Sequence, residues 1–514
     1  MYIQLFAKGK INQTNTGATT LKMRREMDSL GTREVPSSAY YGIQTQRAID
    51  NFPISGYRAH SQLVRAIGMI KKAAALANRE LKLVDAKRAG AIAKAADEVI
   101  AGKWNGQFVV DVYQAGAGVS FHMNANEVIA NRAIEILGGK RGDYDICHPN
   151  DHVNFGQSTN DVFPTAMRLA ALFLSDEVLN SLAMLEQSFA RKGKAFDHIL
   201  KSGRTHMMDA VPIRLGQEFS AYATAMQRCG VVLGQAQTLL GEVGLGGSAV
   251  GTGVNTHPKY RKLVVKHLSK VCGRTLKPAG DLRYAMQSNL AMSVTSAALR
   301  NLALELIRIT NDLRLLSSGP NTGLAEIALP ALQPGSSIMP GKVNPVMAEL
   351  TAMVGFQAVA ADMATAMAVQ AGQLELNVMM PAMAWNVLHS AEILKNTMRV
   401  LATKCVDGIV ANEERCRYYA NATISIAAAL NPYIGYAAAA EIAKESIKTG
   451  RTVTEIALER KLIDEKTMRE ILDPLRMTEP APPLENARKK ASKKVVSQRE
   501  AIFPEASLCG KSEC

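Results

Sequence analysis

The chain has 514 residues, of which 47% are hydrophobic but only 5% aromatic, with 23 Met and two Trp. That length suggests two to four folding units, and so few large rings exclude an aromatic-rich sandwich and argue against a carbohydrate- or base-stacking surface. Half of the formal net charge of +14 lies in residues 1–25 and 478–514, so the body is only moderately basic, which suits anionic small molecules and provides no dense stripe for nucleic acid.

Residues 1–25 carry Lys8, Lys10, Lys22, Arg24 and Arg25 and no acid; residues 1–26 read as a disordered N-terminal extension. An N-terminal domain is expected over 27–159, a central helix bundle over 160–414, and a small helical domain over 415–477. Helices are expected near 165–200, 212–240, 287–317 and from 349 to about 371. Leu302, Leu306, Ile309, Leu313 and Leu316 recur at alternating spacings of four and three, a bundle-facing stripe. Gly319-Pro320 ends that run. The next is dense in Ala358, Ala360, Ala361, Ala364, Ala366 and Ala368, which lets backbones approach closely. Polar, Gly-rich connections are expected at 115–126, 148–160, 203–209, 244–257 and 332–345, where chemistry usually sits. Residues 478–514, with Arg488-Lys489-Lys490 and Lys493-Lys494, read as a solvated basic tail.

The fold class is therefore all-α, a long-helix bundle. Stripes this long bury poorly within one chain, so a homo-oligomer is expected. Seven scattered cysteines without a Cys-x-x-Cys pair disfavour a disulfide framework and a zinc site and fit a reducing cytoplasm. The most apolar helix holds Gln357 and Asp362, so it reads as bundle interior and not as a membrane span.

The most informative segment is Gly335-Ser336-Ser337-Ile338-Met339-Pro340-Gly341-Lys342-Val343-Asn344-Pro345. Its glycine spacing, and Val343 where a hydroxyl should follow the lysine, rule out a phosphate-binding loop. What remains is a glycine-hinged loop with two hydroxyls, a cation and an amide.

GSSIMPGKVNP resembles the signature of the aspartase/fumarase superfamily. The likeness extends over about 27–477, through AYYGIQTQRAIDNFPISGY at 39–57, NANEVIANRA at 124–133, HPNDHVN at 148–154, QSTND at 157–161, GRTH at 203–206, PIRLGQEF at 212–219 and GLGGSAVGTGVNTHP at 244–258. Within it the chain most resembles the aspartate ammonia-lyases, to which GQLELNVM at 372–379 and Val346 both lean. The resemblance implies three largely helical domains and a homotetramer with a shared 20-helix core. It implies active sites built from three subunits, a small amino-acid substrate, and no metal or organic cofactor. Nucleic acid and membrane are not expected as partners.

The resemblance also assigns roles. Ser336 is the general base, and a serine can serve only if its oxyanion is stabilised by neighbouring donors. Lys342, Asn344 and Thr205 hold the substrate α-carboxylate. Ser158, Thr159 and Ser337 hold the electron-withdrawing end. Asn160 and His206 face the leaving amine, with Glu349 orienting His206.

Several positions depart from the family. Its Ser/Ala-Gly-Thr segment appears here as Ala117-Gly118-Val119-Ser120-Phe121-His122-Met123. Met208 replaces the usual Gln two residues after His206, and Met380 stands where aspartases carry Glu. An ammonium needs three acceptors, whereas a quaternary ammonium prefers apolar or aromatic walls. Val119, Phe121 and Met208 would suit the latter, with His122 hydrogen-bonding a non-carboxylate end. Two substrates stay open: L-aspartate, and a trimethylated amino acid such as ergothioneine, cleaved by the ergothionase branch to trimethylamine and thiolurocanate. A fumarate hydratase and a non-catalytic structural role are further alternatives.

Overall fold

Helices dominate the computed structural model, which describes residues 22–484. Five of them exceed 24 residues: Thr159–Ala195, Leu215–Leu240, Leu290–Leu316, Val346–Gln370 and Met380–Lys404. Leu302, Leu306, Ile309, Leu313 and Leu316 are all buried, so the four-and-three spacing marks the inward face of its helix. The four sheets among the described residues are two-stranded ribbons. The fold is the all-α one the periodicity predicts.

The chain divides into two compact units. One comprises residues up to 173, 239–293 and 364–388. Its core gathers Ile67, Ile70, Ile92, Ile129 and Phe163 from several helices, with Phe121 set edge-on to Phe163 at 6.0 Å. The other comprises 174–238, 294–363 and residues from 389 onward. There Phe219 packs against Phe196 and Tyr222, and a separate cluster of Ile426, Leu430, Ile442, Ile456 and Met468 organises the C-terminal helices.

Three expectations need correction. Residues 23–26 do not belong to an extension: Met23–Asp28 pairs with Gly31–Pro36, and Arg24 donates to the carbonyls of Ala39 and Tyr41. Residues 203–209 are not a loop, because Leu200–Thr205 and Met208–Arg214 form an antiparallel hairpin. This also moves the start of the next helix from 212 to Leu215. Most of 115–126 is helical, since Val119–Ile136 begins after three left-handed residues, Gly116, Ala117 and Gly118. At the other end Arg214 binds the Thr478 hydroxyl and the Glu479 carboxylate. The basic clusters expected in the tail, and residues 1–21, lie outside the described residues.

Glu127, on helix Val119–Ile136, fixes the N-terminal segment in the first unit. Its buried carboxylate accepts the N–H groups of Gly42, Gln44 and Thr45 and the Thr45 hydroxyl. Gly42 permits this approach: a Cβ there would lie 2.9 Å from the Glu127 carboxyl carbon and 2.5 Å from the Tyr144 hydroxyl. Glu127→Ala leaves these donors unmet, at roughly 1–3 kcal/mol for each one that stays buried. The expected outcome is a clear fall in the thermal midpoint, against almost none for the exposed control Glu34→Ala, measured by calorimetry.

Candidate active site

Ser158, Thr159 and Asn160 sit at the start of helix Thr159–Ala195, where unpaired backbone N–H groups need acceptors. Asp161 supplies them. Its Oδ1 accepts from Ser158 N, and its Oδ2 accepts from Gly246 N and Ser248 N at 2.9 and 3.1 Å. The 246–248 backbone, with left-handed Gly246 and Ser248, is thereby tied to the helix start. Asn160 Nδ2 adds a bond to Ala249 O. Burial raises the Asp161 carboxyl to about 6, while the three N–H donors and Lys71 pull it back.

Val119 and His122 belong to the same unit. Val119 is exposed on the first turn of its helix, and His122 is 1% exposed three residues on. The imidazole contacts Lys71 Nζ through Nε2 and the Thr159 hydroxyl through Nδ1, at 2.6 and 2.7 Å. Both ring nitrogens are therefore engaged inside the protein, and His122 reaches the site through Thr159 and not directly. Phe121 is also misplaced by the sequence reading: its ring is buried against Phe108 and Phe163. Met380 is buried as well, while Met208 is exposed.

In the second unit, Thr205 and His206 lie at the tip of the hairpin. His206 and Met207 have φ of +56° and +63°, the left-handed pair that a two-residue hairpin turn requires and that Asn-Gly normally supplies. Neither residue adopts this readily, so the turn stores strain beside the residues expected to work there. A buried charge cluster holds its base. Arg204 Nη1 is 3.0 Å from both Glu326 oxygens, and Lys201 Nζ lies 3.2 Å from Glu326 and 2.7 Å from Glu218. Arg204 also stands over the Tyr419 ring at 5.2 Å.

The 335–345 loop is closed by Gly335 N donating to Lys342 O at 2.7 Å and by Asn344 Nδ2 donating to Gly335 O at 2.8 Å. A Cβ on residue 335 would sit 2.5 Å from Lys342 O, so glycine is required. Inside this ring Ser336 Oγ accepts from Ile338 N at 3.3 Å and Met339 N at 3.0 Å. Two N–H donors aimed at one hydroxyl oxygen are what a serine needs to lose its proton. Ser337 and Lys342 are exposed. Asn344 spends one of its two amide N–H donors on the loop itself. Glu349 sits on the first turn of Val346–Gln370, and no hydrogen bond joins it to His206 among the described residues. Among those residues, no group of three His, Cys, Asp or Glu is placed to hold a metal ion.

Lys71 and Asp161 escape the sequence reading. Lys71 offers a signal: it lies four residues after Ile67 and three before Ala74 on a buried face, whereas its neighbour Lys72 pairs with Asp97 at the surface. His148 and His152 bond to backbone, in a π-helical turn at Pro149–Val153.

A family model described as lyase matches residues 31–360, and one described as fumarase C C-terminus matches 426–479. An aspartate ammonia-lyase of Bacillus subtilis is 48% identical over 89% of this chain and 96% of its own. A class II fumarate hydratase of Halobacterium salinarum is 49% identical over 88% of this chain and 97% of its own. The solved structure of a Brucella melitensis fumarate lyase:delta crystallin bound to cobalt superposes with a TM-score of 0.86 at 49% identity, covering 89% of this chain and 100% of that one.

Glu326→Gln removes an ionic partner from buried Lys201, which keeps Glu218, and from part-buried Arg204, a loss that costs up to about 3–5 kcal/mol in fully buried sites. The expected result is a lower urea midpoint with faster amide exchange at residues 200–214. Unchanged exchange there would show that the ion cluster does not hold the hairpin.

Proposed function

The chain belongs to the lyase family matched over residues 31–360, the aspartase/fumarase superfamily, and from that premise we propose that it removes ammonia from L-aspartate to give fumarate. The observation that carries this reading is the pair of N–H donors on Ser336 Oγ. The Ser336 oxyanion takes a proton from C3, the C2–N bond breaks, and ammonia leaves. The negative charge that builds on the C4 carboxylate is met by Ser158, Thr159 and Ser337. Lys342, Asn344 and Thr205 hold the C1 carboxylate, Asn160 and His206 face the amine, and Glu349 orients His206. Val119 lies near the amine. These roles need no cofactor.

The trimethylammonium alternative needs an apolar and aromatic wall. With Phe121 and Met380 buried and His122 spent on internal partners, only Val119 and Met208 are left exposed for it. That favours aspartate.

Helix Val346–Gln370 supports a homotetramer. Met353, Phe356, Met363 and Met367 are exposed by 58–66% and fall on one side of the helix, a stripe typical of a buried interface. Sites shared by three subunits, the division at residues 159 and 414, and a cytoplasmic location complete the proposal.

The test is direct. Purified protein given L-aspartate should release fumarate and ammonium in equal amounts. Ser336→Ala should lower kcat by about 10³-fold or more, an effect of about 4 kcal/mol, while light scattering still reports four times 55.4 kDa. Release of trimethylamine from ergothioneine, or turnover of L-malate with none of aspartate, would overturn the substrate. Substituting Met363→Glu should shift the scattering mass towards smaller species; an unchanged mass would remove this helix from the interface.

A further inference from the structure

Beneath Thr159, in the first unit, lies a buried polar chain that no residue expected to touch substrate accounts for. Lys71 Nζ is 2.6 Å from His122 Nε2 and 2.9 Å from both Asn154 Oδ1 and Gln157 Oε1. The two amides are oriented independently. Asn154 Nδ2 donates to Gln157 O, and Gln157 Nε2 donates to the carbonyls of Val153 and Phe155. Their oxygens therefore face the lysine whatever its charge.

An ammonium has three donors and no acceptor, and two amide oxygens and one imidazole nitrogen surround this one. Donation to Nε2 leaves the neutral ring's single hydrogen on Nδ1, 2.7 Å from Thr159 Oγ1. Thr159 then accepts, and its own hydroxyl hydrogen is free for a group outside the cluster. We propose that Lys71 and His122 act as positioning residues that fix the direction of this chain, so that Thr159 can only donate to the carboxylate it holds. This rests on the placement of Thr159 at the electron-withdrawing carboxylate of the substrate.

The opposite direction is equally definite. A neutral Lys71 amine would accept from Nε2–H, Nδ1 would take the Thr159 hydrogen, and Thr159 would offer only an acceptor, suited to an amine and not a carboxylate. Burial pulls the Lys71 ammonium down and the Asp161 charge opposes it. Burial and the Lys71 charge both push His122 down, which keeps the ring neutral. The two amide oxygens accept from the lysine in either state, and it is the nearby Asp161 carboxylate that selects the ammonium.

Because charge grows on that carboxylate as the proton leaves, a lost donor lowers kcat more than it raises KM. Thr159→Val and Lys71→Met should each lower kcat for L-aspartate by roughly 10- to 100-fold, with KM within about three-fold. The double variant should be no worse than the poorer single one, since the residues act in series. Additive losses would overturn the relay. Neutron diffraction on deuterium-exchanged crystals of the full chain decides it without any turnover. Deuterium on His122 Nδ1, none on Nε2 and three on Lys71 Nζ is the expected map; deuterium on Nε2 overturns the proposal. A wild type inactive on aspartate would sink the substrate reading and leave this map to judge the direction of the chain.

Discussion

A carboxylate taken out of water must be met by donors, and four such groups hold the irregular parts of this protein. Glu127 gathers the backbone of 42–45, and Asp111 that of 55–56 and 113. Asp161 ties 246–248 to the start of a helix, and Glu326 anchors the 200–214 hairpin through Lys201 and Arg204. Each acid sits on or beside a regular element and ties a neighbouring segment to it. Desolvation makes the arrangement stringent, because removing the acid strands its donors and removing a donor strands the acid. The result is a helical scaffold with these segments tied to it by hydrogen bonds and ion pairs.

Donors held in place are what the proposed elimination requires. A serine is a poor base until donors lower the energy of its oxyanion, and a carbanion next to a carboxylate is stabilised only by donors already in place. The ring closed by Gly335, Lys342 and Asn344 points two N–H groups at Ser336. The strained His206-Met207 turn and the Asp161-capped segment present the remaining polar side chains. Buried Lys71 and His122 add polarity from below, where they never meet solvent.

The helices were legible because burial follows a 3.6-residue period: the leucine stripe of 302–316 is inward along its whole length. The signature loop was legible because its glycines and polar residues have no helical use. The hairpin was not, since His206-Met207 lacks the Asn or Gly that announces a left-handed turn. In sequence, Gly116-Ala117-Gly118 gives Val119, Phe121 and His122 the look of a loop. In fact those left-handed residues start a helix, and successive residues of a helix point in different directions. Phe121 therefore turns to the core and His122 to Lys71, and the aromatic wall inferred from their identities does not form. Lys71 is masked by its neighbour Lys72, and only the phase set by Ile67 and Ala74 separates the inward lysine of the pair from the outward one.

The proposed function stands on Ser336 as the base that meets C3 of the substrate. A crystal structure of the Ser336→Ala protein soaked with L-aspartate tests this most directly. The expected map has C3 within about 4 Å of the residue 336 side chain, near the approach distance for reaction, and the C4 carboxylate accepting from a Thr159 hydroxyl. Aspartate bound with its amine on Thr159, or with C3 remote from residue 336, would contradict it.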